Sequence, residues 1–431
     1  MPPTAGPTPL VPLAALIGID WADQHHDVAL QVAGTVTVEH SRLTHEPNAL
    51  AAWLTGLAQR FAGQRVGIAL ETSRGPLVHA LLEAPFVVLY PVNPRSLQCF
   101  RETFTPSGAK DDAPDARLLL ELLVKHRDQL APWVPADAAT RTLRALVERR
   151  RTAVELRTQL TLQLQATLKD YFPQALTWAG TDLTSPLACA FLTQWPTLAA
   201  LQRARPSAVR RFYLTHRCRR PALIATRLAE IATATPLTHD PTIVEPNALF
   251  VQLLARQLAA LGPSLAALDA EIAACFAAHP DAELFRALPG AGAALAPRLL
   301  VAFGTDRTRF PSAADVQQCA GIAPVTVRSG RSCQVHWRWS VSTFLRQTFH
   351  EFAHHSILHT PWARAFYHAQ RARGKTHHVA VRALAFKWIR ILWRCWQDHT
   401  PYDDARYTRA LILRGSPIAA HLQLAATEAA A

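Results

Sequence analysis

The chain has 431 residues, of which 49% are hydrophobic and only 18% are charged, so it has enough apolar side chains for two or three folded domains and is not a disordered polymer. Lys and Arg outnumber Asp and Glu by 45 to 32, and the net charge of +13 predicts a polyanionic partner, for which a phosphate backbone fits better than a membrane surface. Because the sequence has no run of about 18 apolar residues, we expect no transmembrane helix and no membrane partner.

The N-terminal segment and the cysteines bear on where the protein works. Residues 1–12 lack the basic region of a signal peptide and are predicted to be a disordered tail. The seven cysteines are scattered and form no Cys-x-x-Cys pair, which indicates reduced thiols rather than a zinc site or a disulfide framework. We therefore expect a cytoplasmic protein.

Residues 13–130 alternate between strand and helix patterns. Period-two and apolar runs predict strands, and apolar residues at helical spacing predict helices. The predicted elements are three short strands (14–20, 27–33 and 35–39), a helix (47–60), a strand (66–71), a helix (76–84), a strand (86–92) and a last helix that carries Asp112 and Asp115. This segment therefore has the pattern of an α/β domain.

Four acids occupy suggestive places in this pattern. Asp20 ends the first apolar run, Glu71 ends the fourth strand, and Asp112 and Asp115 share one helix face because they are three residues apart. Carboxylates that crowd together need a cation, and Mg²⁺ takes oxygen ligands and acts on phosphate esters. The alternative is that each acid is a solvated turn residue or a helix N-terminal acid favoured by the helix dipole.

A family resemblance follows from the order of elements and from one motif. Three meandering strands and then alternating helices and strands, with acids on the first strand, the fourth strand and the last helix, is the arrangement of RNase H-like nucleases. With the signature Lys110-x-Asp112-x-x-Asp115-Ala116, the segment resembles the DEDD transposases of the insertion sequence 110 group. These are RNA-guided bridge recombinases with a RuvC-like N-terminal domain. The resemblance implies that Asp20, Glu71, Asp112 and Asp115 are catalytic and hold Mg²⁺ or Mn²⁺.

Residues 131–280 read as a helical, coiled-coil spacer. Long helices are predicted over 137–171 and 247–278, and their apolar residues recur every three or four positions, so the two could pair antiparallel. The first helix is strongly basic, and we expect Arg149, Arg150 and Arg151 to bind nucleic acid. A charge run is also often just a solvated helix face.

The C-terminal segment, 281–411, completes the resemblance, and 412–431 is predicted to be a tail. The turn at 288–292 and the helix after it read as a helix-hairpin-helix-like element rather than a dinucleotide fingerprint, because no strand precedes the glycines. The order Gly321, Pro324, Ser329-Gly330 resembles the C-terminal domain of the same family, in which this serine is the nucleophile. Ser329 is predicted to lie in a short basic loop, where Arg328 and Arg331 would suit a phosphate.

The resemblance implies a transposase that cleaves and exchanges strands of insertion-sequence DNA through a covalent phosphoserine intermediate. It further implies donor and target DNA and a noncoding guide RNA as partners, and a homo-oligomer, dimer or tetramer, in which the serine and the acids meet between protomers. Two alternatives stay open from the residues. One is a metal-dependent, structure-specific nuclease of the Holliday-junction resolvase type, and the other is a non-catalytic nucleic-acid-binding protein.

Overall fold

The computed structural model describes residues 12–72, 75–104, 113–330, 332–338, 341–418 and 422. Contacts within the chain divide it into two units, one ending at Pro135 and the other beginning at Ala136. The first unit is mixed α/β, and the second is mainly helical with one β-hairpin. This confirms the predicted combination of an α/β region followed by an α region.

The first unit is built on a five-stranded sheet. Its strands are β1 (Ala15–Asp20), β2 (His25–Val32), β3 (Val38–Thr44), β4 (Val66–Leu70) and β5 (Val87–Pro91). Its helices within the described residues are α1 (Pro47–Arg60), α2 (Pro76–Leu82), α3 (Pro94–Phe104) and α4 (Ala113–His126). The strand order is β3-β2-β1-β4-β5, with β1 to β3 antiparallel and β1, β4 and β5 parallel. Every residue of β4 is buried, because side chains from both faces of this strand enter hydrophobic cores.

Two elements of this unit differ from the sequence prediction. The third strand begins at Val38 rather than at residue 35, because the chain turns at Gly34 and the Thr35 amide donates to the Val32 carbonyl at 3.1 Å. Helix α3 was not predicted at all, because its residues are mostly polar and, among its side chains whose burial is described, only Leu97 is fully buried. It proves important, since it faces the candidate site.

Gly18 allows α4 to lie directly on β1. A Cβ atom at residue 18 would come 2.0 Å from the Ala116 carbonyl oxygen and 2.5 Å from the Leu120 amide nitrogen. These are backbone atoms, so the helix could make room only by moving as a whole. The absence of a side chain at Gly18 thus sets the distance between β1 and the start of α4.

The Gly18→Ala variant is therefore expected to be less stable than the natural chain by about 1–3 kcal/mol, the usual cost of overpacking a core. The matched control is Gly56→Ala in α1, where a Cβ would meet nothing within 4 Å. That control should be neutral or slightly stabilising, since alanine is the better helix former. Denaturant unfolding curves of both variants decide the point. Equal midpoints for the two would show that α4 does not rest on Gly18.

The second unit begins with long helices. Its first seven helices are α5 (Ala138–Tyr171), α6 (Ala175–Trp178), α7 (Pro186–Gln194), α8 (Leu198–Gln202), α9 (Pro206–Thr215), α10 (Pro221–Thr233) and α11 (Pro241–Ala277). The prediction of a helix over 137–171 is confirmed, and Asp137 caps it by accepting from the Thr140 amide at 2.8 Å. Hydrogen bonds from the hydroxyl and amide of Thr140 and from the Thr305 hydroxyl outweigh the effect of burial and lower the pKa of Asp137 to about 2.

Helices α5 and α11 pack antiparallel, as predicted. Thr140 near the start of α5 lies 3.0 Å from His279 just after α11, and Arg150, ten residues further along α5, pairs with Asp269, ten residues earlier. By length and apolar composition α11 could cross a membrane, although a single helix of this kind is weak evidence for a membrane span. Here the buried Val251, Leu254 and Leu258 of α11 join one hydrophobic core with Leu164 and Leu168 of α5.

The rest of the second unit surrounds a tryptophan-rich core. Its elements are α12 (Ala282–Arg286), α13 (Gly292–Phe303), α14 (Ala313–Cys319), β6 (Val325–Ser329), β7 (Ser332–His336), α15 (Thr343–His359), α16 (Pro361–Ala372), α17 (His377–Gln397) and α18 (Asp404–Leu413). Trp362, Trp388 and Trp396 are buried at its centre. Helix α16 joins this core through its apolar residues, of which Trp362 and Ala363 are fully buried.

Candidate active site

A polar pocket of about 620 Å³ opens at one edge of the sheet of the first unit. Three of the four predicted acids, Asp20, Glu71 and Asp115, line it, and the fourth, Asp112, lies outside the described residues. The other lining residues are Trp21, Ala22, Gln24, His25, Asp27, Arg42, Pro94, Gln98 and Arg101. Acids that are 95 positions apart in the sequence therefore share one cavity.

Strand register and the close approach at Gly18 explain this convergence. Ile19 lies opposite Leu70 on the adjacent parallel strand, so Asp20 and Glu71, the next residues of each chain segment, emerge at the same edge. Helix α4 crosses β1 at Gly18, and its first turn carries Asp115 toward that edge. The carboxyl ends of neighbouring parallel strands are the usual place for a binding site in such sheets.

Asp27 is a fifth acid, which the sequence analysis did not identify. It lines the same pocket and lies directly opposite Asp20 in the antiparallel pairing of β1 and β2. Like charges opposite each other on neighbouring strands are destabilising unless something neutralises them. Arg42 donates to Asp27 at 3.4 Å, but its side chain is 69% exposed, so its effect is weakened by solvent. The signal that could have revealed Asp27 is its pairing with Asp20 across the first hairpin.

Asp115 is the most buried of these acids, and its only described ion-pair partner is Arg101 of α3. The side chains of Asp115 and Arg101 are 10% and 23% exposed. Arg101 Nη2 donates to Asp115 Oδ2, whereas Asp115 Oδ1 and Arg101 Nε are buried and have no hydrogen-bond partner among the residues that the structure describes. A buried polar atom without a partner is costly, which makes this pair an unusual feature of the pocket.

The pocket suits a hard divalent cation in its chemistry. Its donors are carboxylate oxygens, which Mg²⁺ and Mn²⁺ prefer, and no described residue gives the buried Oδ1 of Asp115 the positive partner that such an ion would supply. Among the described residues, no three His, Cys, Asp or Glu side chains converge tightly enough to hold a metal ion as they stand.

Ser329 lies in the second unit, where the structure differs from the predicted basic loop. It is the last residue of β6 and pairs with Ser332, the first residue of β7. Gly330, at φ +55°, makes the turn between them. Ser329 and Arg328 are both exposed, and Arg331 is outside the described residues. The hairpin thus presents the Ser329 hydroxyl to solvent at its tip.

Two arginines hold the base of this hairpin, a feature that no sequence motif indicated. The Trp337 ring, directly after β7, has the Arg382 guanidinium 4.0 Å and the Arg346 guanidinium 5.4 Å from its centre, which is cation–π geometry. Arg382 Nε also donates to the Ile322 carbonyl before β6 at 3.0 Å. Arg346 Nη2 donates to the Arg338 carbonyl after β7 at 3.1 Å. Helices α15 and α17 therefore fix both ends of the hairpin.

The predicted nucleic-acid surface of α5 is largely occupied by ion pairs. Arg150 pairs with Asp269 of α11, and Arg151 donates to Glu155 and to Glu351 of α15. Within the described residues, Arg149 is the member of the trio that makes no ion pair, and it is exposed. Two of the three arginines thus connect helices, so the binding of nucleic acid by this trio stays a prediction that rests mainly on Arg149.

Comparison with known proteins gives two matches at the level of families. Residues 17–173 match the DEDD transposases of IS110, which carry the description Transposase. Residues 282–368 match the Transposase IS116/IS110/IS902 family. The first match contains the pocket acids and the second contains Ser329. The two candidate catalytic regions therefore fall in two separate transposase domains.

Individual relatives cover nearly the whole chain. A protein of Streptomyces coelicolor, named as the inferred transposase for the IS117 mini-circle, is 30% identical over 406 residues, which is 91% of this chain and 96% of the relative. The 43.6 kDa protein of insertion element IS110 from the same organism is 28% identical over 399 residues, 91% and 96% of the two chains. The 42 kDa protein of insertion element IS900 from Mycobacterium paratuberculosis is 29% identical over 375 residues, which is 86% of this chain and 92% of the relative.

Proposed function

The chain belongs to the IS110 family of transposases, and from this premise we propose that it cleaves and rejoins insertion-sequence DNA through a covalent link between Ser329 and a DNA phosphate. Transposases of this kind act on DNA, and membership of a DEDD family points to dependence on a divalent metal. The observation that carries the proposal is the meeting of Asp20, Glu71 and Asp115 in one polar pocket.

The sheet order supports a RuvC-like assignment of residues 13–130. An antiparallel meander of three strands followed by two parallel strands, β3-β2-β1-β4-β5, is the RNase H-like arrangement, and the acids occupy the strand ends and helix start where that fold has its site. Residues 131–280 are then the helical spacer, and 281–411 the C-terminal transposase domain with its helix-hairpin-helix-like turn between α12 and α13.

In the proposed reaction the acids of the pocket would hold Mg²⁺ or Mn²⁺. Bound there, a divalent ion would polarise the phosphoryl group and stabilise the leaving oxygen. Asp20, Glu71, Asp112 and Asp115 would hold it, with Asp27 adding negative charge beside Asp20. Arg328, exposed next to Ser329, would pair with phosphate oxygens, and so would Arg331.

Ser329 Oγ would attack the phosphorus atom, forming an Oγ–P bond while the bond from phosphorus to a deoxyribose oxygen breaks. The serine hydroxyl proton leaves and the deoxyribose oxygen ends as a hydroxyl, so no water is consumed. A hydroxyl of another strand can then reverse the exchange and release Ser329. Because the acids and Ser329 lie in different units, they would meet within one protomer or between protomers of a dimer or tetramer.

Mapping the covalent link tests this reaction directly. The full-length protein would be incubated with insertion-end DNA and Mg²⁺, digested, and analysed by mass spectrometry. The nucleotide should be found on the peptide that contains Ser329. Free hydrolysed ends without an adduct would instead support the nuclease, in which water is the nucleophile, and the absence of any metal-dependent cleavage would support a non-catalytic binding protein.

A guide RNA and self-association complete the proposal. The net charge of +13 is consistent with binding both donor and target DNA and a structured noncoding RNA, in the cytoplasm where genomic DNA resides. Sequencing the RNA that copurifies with the protein would identify the guide. A mixture that mirrors total cellular RNA would count against a dedicated guide.

Helix α11 offers a surface for self-association. Leu249, Phe250 and Leu253 form an apolar group on one helix face and are 69%, 41% and 50% exposed. Exposed apolar residues that cluster in this way mark interaction surfaces.

The Leu249→Glu/Leu253→Glu double variant is expected to shift the protein from oligomer to monomer, because charges in an apolar interface are strongly unfavourable. Light scattering coupled to size exclusion measures the mass. The matched control is Ala266→Glu, at an exposed position of the same helix four turns away, which should leave the mass unchanged. An unaltered oligomer in the double variant would place the interface elsewhere.

A further inference from the structure

Arg101 of α3 has no role in the reaction described so far, although it lines the pocket of the acids. Its only described ion-pair partner is Asp115, and both side chains are largely buried. Within the described part of the chain, each partner leaves one buried polar atom without a hydrogen bond: the donor Nε of Arg101 and the acceptor Oδ1 of Asp115. The ion pair therefore satisfies only part of the hydrogen-bonding capacity of the two side chains.

The two unsatisfied atoms require opposite partners. Arg101 Nε needs an acceptor or an anion, and Asp115 Oδ1 needs a donor or a cation. A DNA phosphate with a divalent cation bound to it supplies both at once, and the pocket has room for them at about 620 Å³. A guanidinium can also take two phosphate oxygens with adjacent N–H groups.

The geometry points to two roles for Arg101. It binds the DNA phosphate when DNA is present, and it neutralises Asp115 while DNA and metal are absent. This inference rests on the proposed function of the pocket, and it adds a substrate-binding residue that the acid motif does not contain. Arg101 and the divalent cation compete for Asp115 in the free protein. When DNA binds, the phosphate draws Arg101 away and leaves Asp115 to the cation.

Arg42, the other arginine of the pocket, does not meet the same conditions. Its side chain is 69% exposed, and its pair with Asp27 at 3.4 Å is long. An exposed guanidinium is hydrated and can be lost without leaving a buried charge alone. Arg42 therefore serves as a matched control, because its replacement removes the same charge from the same pocket.

If Arg101 competes with the divalent cation for Asp115, its loss should have an effect that the loss of a merely structural arginine would not have. In the full-length Arg101→Gln variant, Mn²⁺ binding without DNA, measured by electron paramagnetic resonance, is expected to be on the order of tenfold tighter, the scale of the effect that a neighbouring charge has on a carboxylate. In the presence of Mn²⁺, the same variant should bind a labelled DNA duplex more weakly. The magnitude of the slope of log affinity against log salt concentration should fall by about 0.9, because one phosphate contact is lost. The Arg42→Gln control should change both quantities much less.

A structural tether between α3 and α4 would behave differently, because its loss would weaken metal binding and DNA binding together. That outcome, or equal effects of Arg101→Gln and Arg42→Gln, would overturn the inference. The Arg101→Lys variant keeps the charge but loses the paired N–H groups. It should keep the Mn²⁺ affinity of the natural protein and still bind DNA more weakly, and it decides the question if Arg101→Gln fails to fold.

These measurements do not involve Ser329 or strand cleavage. If no serine adduct forms but Arg101→Gln shows opposite effects on metal and DNA, the pocket binds DNA phosphate as inferred and the covalent mechanism is wrong. If the adduct forms but Arg101→Gln changes neither affinity, the proposed function stands and the role of Arg101 is refuted.

Discussion

Replacing Ser329 by alanine is expected to abolish the covalent protein–DNA adduct while DNA and RNA binding persist. The variant lacks the hydroxyl oxygen that would form the Oγ–P bond. The hairpin should keep its shape, because Ser329 is exposed and its pairing with Ser332 uses backbone atoms. The adduct would be detected as protein that stays bound to labelled DNA under denaturing conditions.

Ser332 provides the matched control for this experiment. It is an exposed serine directly across the hairpin from Ser329, so Ser332→Ala makes the same chemical change one strand away. Ser340→Ala, outside the described residues, is a second control. Both should keep the adduct. An adduct that survives in Ser329→Ala, or disappears equally in Ser332→Ala, would remove Ser329 from the role of nucleophile.

The second large effect is expected from Glu71→Gln, which should lower the rate of strand transfer by about a thousandfold or more. The change removes one anionic oxygen from the pocket, and metal-assisted charge stabilisation is worth several kcal/mol, at 1.36 kcal/mol for each factor of ten. Unfolding should be almost unchanged, because Glu71 is only half-buried and the amide has the same shape. The rate of adduct formation at increasing Mg²⁺ is the measurement.

Glu71 is a cleaner test than Asp115. Loss of the Asp115 charge would leave Arg101 buried without its partner, which typically costs about 3–5 kcal/mol and confuses catalysis with stability. Asp112→Asn tests the fourth predicted acid in the same way. Glu83→Gln, an exposed acid of the same unit outside the pocket, is the control. Full activity of Glu71→Gln at saturating Mg²⁺ would refute the metal-site assignment.

The helices with long, regular apolar spacing were predictable from the sequence. The structure places α5 at Ala138–Tyr171 against a prediction of 137–171, because over 34 residues the helical period outweighs any single exception and Asp137 supplies a cap. Helix α3 has 11 residues, and Leu97 is the one fully buried side chain among residues 94–102, so the apolar period is too weak to detect. The residue of greatest interest on it, Arg101, was therefore not placed in the site.

The residues of the candidate site also divide into those that were predictable from the sequence and those that were not. Asp20, Glu71 and Asp115 stand next to strong local signals, two apolar strands and a helix start, and were identified from those. Asp27 and Arg101 belong to the pocket through register and helix docking: Asp27 because β2 pairs with β1 at that position, and Arg101 because α3 lies beside α4. The place of Asp27 could have been inferred from the hairpin between β1 and β2, whereas the docking of α3 beside α4 leaves no mark in the residues near Arg101 in sequence.

The sequence by itself determined the α/β and α regions, the acids at strand ends, and the Ser-Gly motif of the second unit, since each depends on residues close together in the chain. Only the tertiary structure decided that Ser329 ends a strand, that Trp337 lies against Arg382 and Arg346, and that Arg150 and Arg151 are engaged in ion pairs. The physical reason is the separation along the chain over which each kind of interaction acts. Period and capping act within a few residues, whereas the contact of Trp337 with Arg382 and the ion pair of Arg151 with Glu351 join residues 45 and 200 positions apart.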